Sequence, residues 1–246
     1  MRIALFADIH SNLEALEACL RDARRRGVDR LCFLGDLVGY NADPVAVVEL
    51  IARARDDGAI VLRGNHDEAL SHDDVTLTPE ARAAIDWTRA RLSGPHLGFL
   101  QDLPLIVREA SACFVHASAD RPEQWTYVQD DLAAARSLEA AAATWCFCGH
   151  VHDQVLYYQG AGRRLMAFRP TPGTPVPVGR HRRWLSIVGA VGQSRDGNTA
   201  AAYALFDSTA AEIVYCRVPY EHQTAASKVR AAGLPESLAQ RLECGR

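Results

Sequence analysis

Five short polar clusters, each closing an apolar run, restrict this chain more than any other feature. They read Asp8-Ile9-His10, Gly35-Asp36, Gly64-Asn65-His66-Asp67, His116 and Gly149-His150-Val151-His152. The apolar runs before them span residues 3–7, 31–34, 60–62, 113–115 and 145–148. Runs this short, bounded by glycine and acidic residues, read as strands. Adjacent parallel strands bring their C-terminal loops side by side, so groups far apart in sequence meet at one sheet edge. Five of the nine histidines lie in these clusters. Carboxylate and imidazole together suit divalent Mn, Fe, Zn or Co rather than a thiolate-selected metal. Gly35, Gly64 and Gly149 let the chain turn sharply and approach an ion closely. One such cluster is uninformative, because a lone strand-end His is usually a hydrogen-bonded core or surface residue; five in order point to a metal centre.

The segments between the clusters supply the scaffold. Residues 2–7 form an apolar run, and residues 12–26 carry helical spacing (Leu13, Leu16, Leu20, Ala23) closed by Gly27. A second strand is expected over 30–38. Pro44 opens a second helix that runs to about residue 57, with Asp43 as its cap, and a third strand follows over 59–62. This β-α-β-α-β order predicts a parallel or mixed sheet covered on its faces. Beyond it come a helix over 78–92, a hairpin or strand pair over 105–115 and an alanine-rich helix over 130–143. Strands are then expected at 145–148, 155–158, 163–168, 184–191, 201–206 and 212–218. Gly160-Ala161-Gly162 and Asp196-Gly197-Asn198 mark turns. The proline- and arginine-rich stretch 169–183 reads as a long loop. Helical patterns return from residue 221. The expectation is an α/β chain with two stacked mixed sheets and helices outside, a single domain over 1–246 with a C-terminal helical segment 221–246.

With 48% hydrophobic and 23% charged residues among 246, a sizeable core can be buried. A net charge of −3 provides no basic field, so stable nucleic-acid binding is not expected. The first apolar run turns charged at Asp8, too early for a signal peptide or a membrane span. A soluble cytoplasmic protein without a membrane partner is expected. Seven scattered cysteines, an odd number mostly within apolar runs, read as buried free thiols.

The ordered set D-x-H, G-D, G-N-H-[DE], lone H and G-H-x-H resembles the signature of the calcineurin-like metallophosphoesterase superfamily, over about residues 1–220. In detail it is similar to the small bacterial phosphodiesterase-like branch, through Gly35-Asp36-Leu37-Val38-Gly39-Tyr40 with Asp43-Pro44, and Val191-Gly192-Gln193. The resemblance implies a four-layer α-β-β-α sandwich and two divalent metal ions. Asp8, His10 and His152 would hold one, Asn65, His116 and His150 the other, and Asp36 would bridge them. His66 would act on the leaving-group oxygen. Asp67 would orient His66 or cap a helix. The implied activity is hydrolysis of phosphate mono- or diesters or phosphoanhydrides by hydroxide activated between two metals. The stretch Ile187-Val188-Gly189-Ala190 departs from the Asn-Pro-Gly-Ser of related sequences, which bears on the local loop and not on the ligands.

Other readings fit less well. A metallo-β-lactamase-type site needs a longer H-x-H-x-D-H run, whereas His152 is followed by Asp153-Gln154-Val155. An amidohydrolase carries H-x-H on its first strand, where this chain has D-x-H. A catalytically silent scaffold on the same fold, such as the retromer subunit, is the alternative from another class; intact His66 and filled ligand positions argue against it. The expected partner is a small phosphorylated substrate or nucleotide. Tyr40 and Asn41, together with Trp125 and Tyr127, are candidates to meet its organic group. Arg182 and Arg183, near Arg169, Arg180 and His181, are candidates to meet extra phosphates; a solvated loop is the plainer reading. Monoester, diester and anhydride substrates, the metal and the oligomeric state, homo-oligomers included, stay open at this level.

Overall fold

Ile3 and Leu5 on one face of the first strand, and Ala4 and Phe6 on the other, are all buried. A strand apolar on both faces needs cover on both sides. The computed structural model, which describes residues 1–160 and 165–246, supplies that cover with two sheets back to back. The first half reads β1 (Arg2–Phe6), α1 (Leu13–Arg25), β2 (Arg30–Phe33), α2 (Pro44–Asp56) and β3 (Ile60–Val61), with β1–β2 and β2–β3 parallel. Next come α3 (Asn65–Glu68), α4 (Pro79–Arg89) and α5 (Gly94–Gln101). The hairpin β4 (Ile106–Glu109) and β5 (Ala112–Val115) leads through α6 (Asp131–Ala141) to β6 (Trp145–Cys148), which is parallel to β5. The remainder is β7 (Gln154–Gln159), β8 (Leu165–Phe168), β9 (Pro175–Pro177), β10 (Trp184–Val188), β11 (Ala201–Asp207), β12 (Glu212–Val218), α7 (His222–Ala231) and α8 (Glu236–Cys244).

One sheet has the order β3-β2-β1-β11-β12-β9 and the other β4-β5-β6-β10-β7-β8. Leu5, Phe114, Phe147, Leu156, Phe206 and Tyr215 fill the space between them. Phe6, Leu16, Val47 and Leu100 form the outer core of the first sheet under α1, α2 and α5. Cys146, Ile187 and Leu138 form that of the second under α6. The result is the expected four layers. Truncating any of these buried large side chains to Ala costs roughly 2–5 kcal/mol. Helix starts follow local chemistry: Asn12, Thr78 and Asp130 accept from Ala15, Ala81 and Ala133.

Four expectations are corrected. The predicted strands 30–38 and 184–191 stop at Phe33 and Val188, because their last residues peel away from the ladder into the site loops. The stretch 169–183 is not all loop. Val176 pairs with Ile213 and makes β9 an edge strand, where the missing N–H groups of Pro175 and Pro177 are tolerated. Asp43 stands at the N-cap of α2 without capping it; its Oδ2 accepts instead from Lys228 at 2.8 Å. All seven cysteines are free, and Cys244 is exposed rather than buried. Residues 163–164 of the predicted strand 163–168, and most of the turn at 160–162, lie outside the described residues. Among the described residues no helix is long and apolar enough to cross a membrane.

Candidate metal centre

The parallel strands β1, β2, β3 of one sheet and β5, β6 of the other point their C-terminal ends the same way, and all five clusters lie there. The backbone is bent to aim them. Asp8, His10, Asp36, His150 and His152 all have positive φ, between 48° and 70°. Such left-handed conformations of non-glycine residues cost about 1–3 kcal/mol each. Cross-loop hydrogen bonds hold them: Asp8 N–H to Gly35 O, His10 N–H to Asp36 O, and Gly149 N–H to His116 O, at 2.9–3.1 Å. Two glycines are there for close approach: a Cβ on Gly64 would strike the Asp36 carboxylate, and one on Gly149 would meet Asp8 Oδ2 at 2.7 Å.

The donor atoms form two groups that meet at one oxygen. His10 Nε2 and His152 Nε2 face each other at 3.2 Å, and Asp8 Oδ1 lies 3.5 Å from His152 Nε2. On the other side His116 Nε2 lies 3.1 Å from His150 Nδ1 and 3.2 Å from Asn65 Oδ1. Asp36 Oδ2 is 3.7 Å from His10 Nε2 and 3.4 Å from His116 Nε2. Its other oxygen accepts from the His66 N–H at 2.8 Å, which fixes the carboxylate between the two groups.

These atoms fit cations by their hydrogen bonding. His10 Nδ1 is 3.2 Å from Val38 O, His116 Nδ1 is 2.9 Å from Leu34 O and His152 Nδ1 is 2.6 Å from Gln193 O. Each carbonyl takes the Nδ1–H, so the Nε2 lone pairs point into the clusters. Lone pairs facing lone pairs and carboxylates are stable only with positive charge between them. Asp8, His10 and His152 form one triad with donor atoms within 4.8 Å, and Asp36, His116 and His150 another. His66 joins His10 and Asp36 in a third grouping, which the sequence reading did not foresee.

Burial drives the protonation states. It holds His10, His66 and His152 below the ordinary imidazole range and His150 at about 3. Burial also pushes Asp8 up to about 7. His116 is the exception: burial opposes its charge, but Asp36, Asp8 and the Leu34 carbonyl together outweigh burial and raise it to about 9. Before any metal binds, a His116 proton thus supplies the positive charge that this group of acceptors needs.

The remaining predicted residues separate clearly. Tyr40 is buried against the site, its ring 4.4 Å from His10 and 4.5 Å from His66. Asn41 is 2% exposed and donates to His10 O at 2.8 Å, so it clamps the loop and is not open to a substrate. Asp67 makes no hydrogen bond to His66 among the described residues. Its carboxylate accepts from the N–H groups of Gly64, Leu37 and Val38 at 2.8, 2.9 and 3.2 Å, which is the capping role. Arg182 and Arg183 lie at the wrong end: they precede Trp184, which pairs with Trp145 at the start of β6, whereas the site follows its end. Four strand residues separate the two ends, ~13 Å along the strand. Arg182 lies over Tyr158, and Arg169 pairs with Asp153 at 2.8 Å.

Two residues had no site role in the sequence reading. Gln193 orients His152 through its backbone carbonyl, a contact that leaves no side-chain signal. Arg195 donates to Tyr40 Oη at 3.4 Å, and its charge reaches Asp8, His10, His66 and His152. Its nearness to Gly192-Gln193 at the tied-down end of the β10 loop was the available signal. Tyr127 stacks on His150 at 3.8 Å and Trp125 lies 5.9 Å from His116, at the edge where the sequence put them.

Residues 1–210 match the model of the calcineurin-like phosphoesterase superfamily domain. The chain belongs to that superfamily. It is 35% identical to an uncharacterized protein of Methanocaldococcus jannaschii over 99% of this chain and 98% of that one. The crystal structure of a metallophosphoesterase from Sphaerobacter thermophilus is similar with a TM-score of 0.89 and 37% identity, covering 100% of this chain and 99% of that one. A hypothetical protein from Pyrococcus horikoshii shares the fold at 17% identity and a TM-score of 0.80, covering 100% and 98%. Superfamily membership and the Asp/His clusters together support a metal-dependent phosphoesterase.

Proposed function

We propose that this superfamily member hydrolyses phosphate esters with two divalent cations, one held by Asp8, His10 and His152, one by Asn65, His116 and His150, with Asp36 shared. The observation that carries this reading is the single oxygen, Asp36 Oδ2, within 3.4–3.7 Å of a ligand nitrogen in each group. Bound ions would supply Lewis-acid polarisation of the phosphate oxygens and an activated water.

The chain's own residues account for the rest. Asp8 is held by the His150 N–H, which approaches its two oxygens at 3.1 and 2.9 Å. His66 is the leaving-group residue in this reading. Its ring packs edge-on against His10 at 4.7 Å and beside Tyr40, and no backbone carbonyl holds its Nδ1, which is buried without a partner. Ligand imidazoles generally have their second nitrogen tied down, as in His10, His116 and His152. His66 lacks that tie, as does His150 at Nε2, but unlike His150 it stands outside the two donor groups that share Asp36 in this reading, and it keeps an N–H to offer a departing oxygen. Arg195 at the rim supports anion binding from outside the cluster.

The test is turnover of bis(p-nitrophenyl) phosphate and p-nitrophenyl phosphate across Mn²⁺, Fe²⁺, Co²⁺, Zn²⁺ and Mg²⁺, alongside elemental analysis. Hydrolysis that needs added or bound metal supports the reading. Metal uptake with no turnover by any ion would favour a scaffold role instead.

A further inference from the structure

Tyr127 takes part in two unlike surroundings. The charge of Arg195 bears on its phenol. Tyr127 also lines a cleft of about 580 Å³, together with Asn65 and His150 of the proposed metal centre, with Trp125, and with Asp74 and Glu123. Among the described residues no lysine or arginine lines it. Glu68 on the same wall is paired with Arg63 at 3.0 Å and His72 at 3.2 Å. Asp74 and Glu123 are exposed, and among the described residues neither has an ion-pair partner. The lining also holds a buried group without a partner, His150 Nε2, in a residue only 4% exposed.

We propose that this cleft receives the organic group of the substrate, and that this group is neutral or cationic rather than a further phosphate or carboxylate. The inference deepens the proposed function and rests on it for the position of the reacting phosphate. Two unpaired carboxylates disfavour added negative charge and favour ammonium and hydroxyl donors. The faces of Trp125 and Tyr127 accept a flat ring or a quaternary ammonium. Of the arginines the sequence offered for extra phosphates, Arg182 and Arg183 lie at the other end of the sheets, and Arg169 is paired with Asp153 at 2.8 Å. A single phosphate over the metals with an uncharged or cationic ester group matches both surroundings of Tyr127; an oligophosphate matches only one.

The experiment uses the full chain loaded with Mn²⁺ and two ligands with one phosphate each, phosphorylcholine and phosphoglycolate, compared by calorimetry at low salt. Phosphorylcholine should bind about tenfold more tightly. The gap should shrink at about 0.5 M salt. In the Asp74→Asn/Glu123→Gln variant it should fall to within about twofold, with the melting temperature kept. Equal binding of the two ligands, tighter phosphoglycolate, or an unchanged gap in the double variant would overturn the proposal. Binding needs no turnover, so failure to hydrolyse any ester would count against the phosphoesterase reading alone and leave this one to the binding order.

Discussion

Around Asp36 Oδ2 the cluster divides into a half built from Asp8, His10 and His152 and a half built from Asn65, His116 and His150. The first is sealed: its three residues are at most 2% exposed and none lines the neighbouring cleft. Burial keeps both of its imidazoles neutral, and backbone carbonyls fix both rings. The second half opens to the cleft through Asn65 and His150, and it contains His116, which Asp36 holds in the protonated range. The sealed half thus keeps both imidazoles ready as ligands; its Asp8, raised to about 7, and the open half's His116, raised to about 9, would each have to lose a proton to bind metal, and the open half is the one that meets the cleft. In the proposed two-ion reading, preorganisation of one ion and access at the other would be divided between loops of different strands.

The most severe way to break this division is to remove the atom both halves share. Asp36→Asn should lose metal from both and lower turnover by more than about a thousandfold, the scale of ~4 kcal/mol in barrier. Elemental analysis beside kinetics checks it; a variant that keeps two ions per chain would show that the halves do not depend on Asp36.

His66→Ala tests whether the third grouping, with His10 and Asp36, holds metal. Turnover of a poor leaving group should fall by about 10²–10⁴-fold while metal content is retained. Loss of metal in this variant would instead make His66 a ligand.

The protonation contrast gives a pH prediction. In the folded, metal-free chain Asp8 titrates near 7 against 3.8 ordinarily, and His116 near 9 against 6.5. Both values are raised. Their contributions to stability are therefore complete below the unfolded values and are lost as pH rises through about 7 and about 9. His150, lowered to about 3, acts the other way and destabilises the fold as pH falls below 6.5. The chelated protein should lose melting temperature between pH 6 and 9, while the metal-loaded protein should not. Metal uptake in weak buffer should release protons, and affinity should rise with pH over the same window. A chelated protein equally stable at pH 6 and 9 would remove the distinction between the halves.

The smallest effect is expected far from both. Arg182→Ala with Arg183→Ala should leave KM within about twofold, because surface charges beyond a Debye length are screened. A larger rise in KM would mean that this end of the sheets reaches the substrate after all.

The sequence by itself determined the parts of this protein that local chemistry encodes. Asp8, His10, Asp36, Asn65, His116, His150 and His152 are legible because each ends a short apolar run, and a strand end is a local pattern. Asn12, Thr78 and Asp130 are legible as helix starts for the same reason, since a cap acts within three residues of itself. Only the tertiary structure decided what borders what. Arg182 and Arg183 look like phosphate contacts until the parallel pairing of β6 and β10 places them before the strands rather than after them. Asp67 looks like a partner for His66 until the Asp36 loop brings the Leu37 and Val38 N–H groups to it. Gln193 contributes only a carbonyl, which every residue has, so its role depended on where the β10 loop runs. Arg195 gains its meaning from Tyr40, 155 residues away in the chain. Contacts of that range follow from sheet order and loop path, and neither is written in the spacing of side chains.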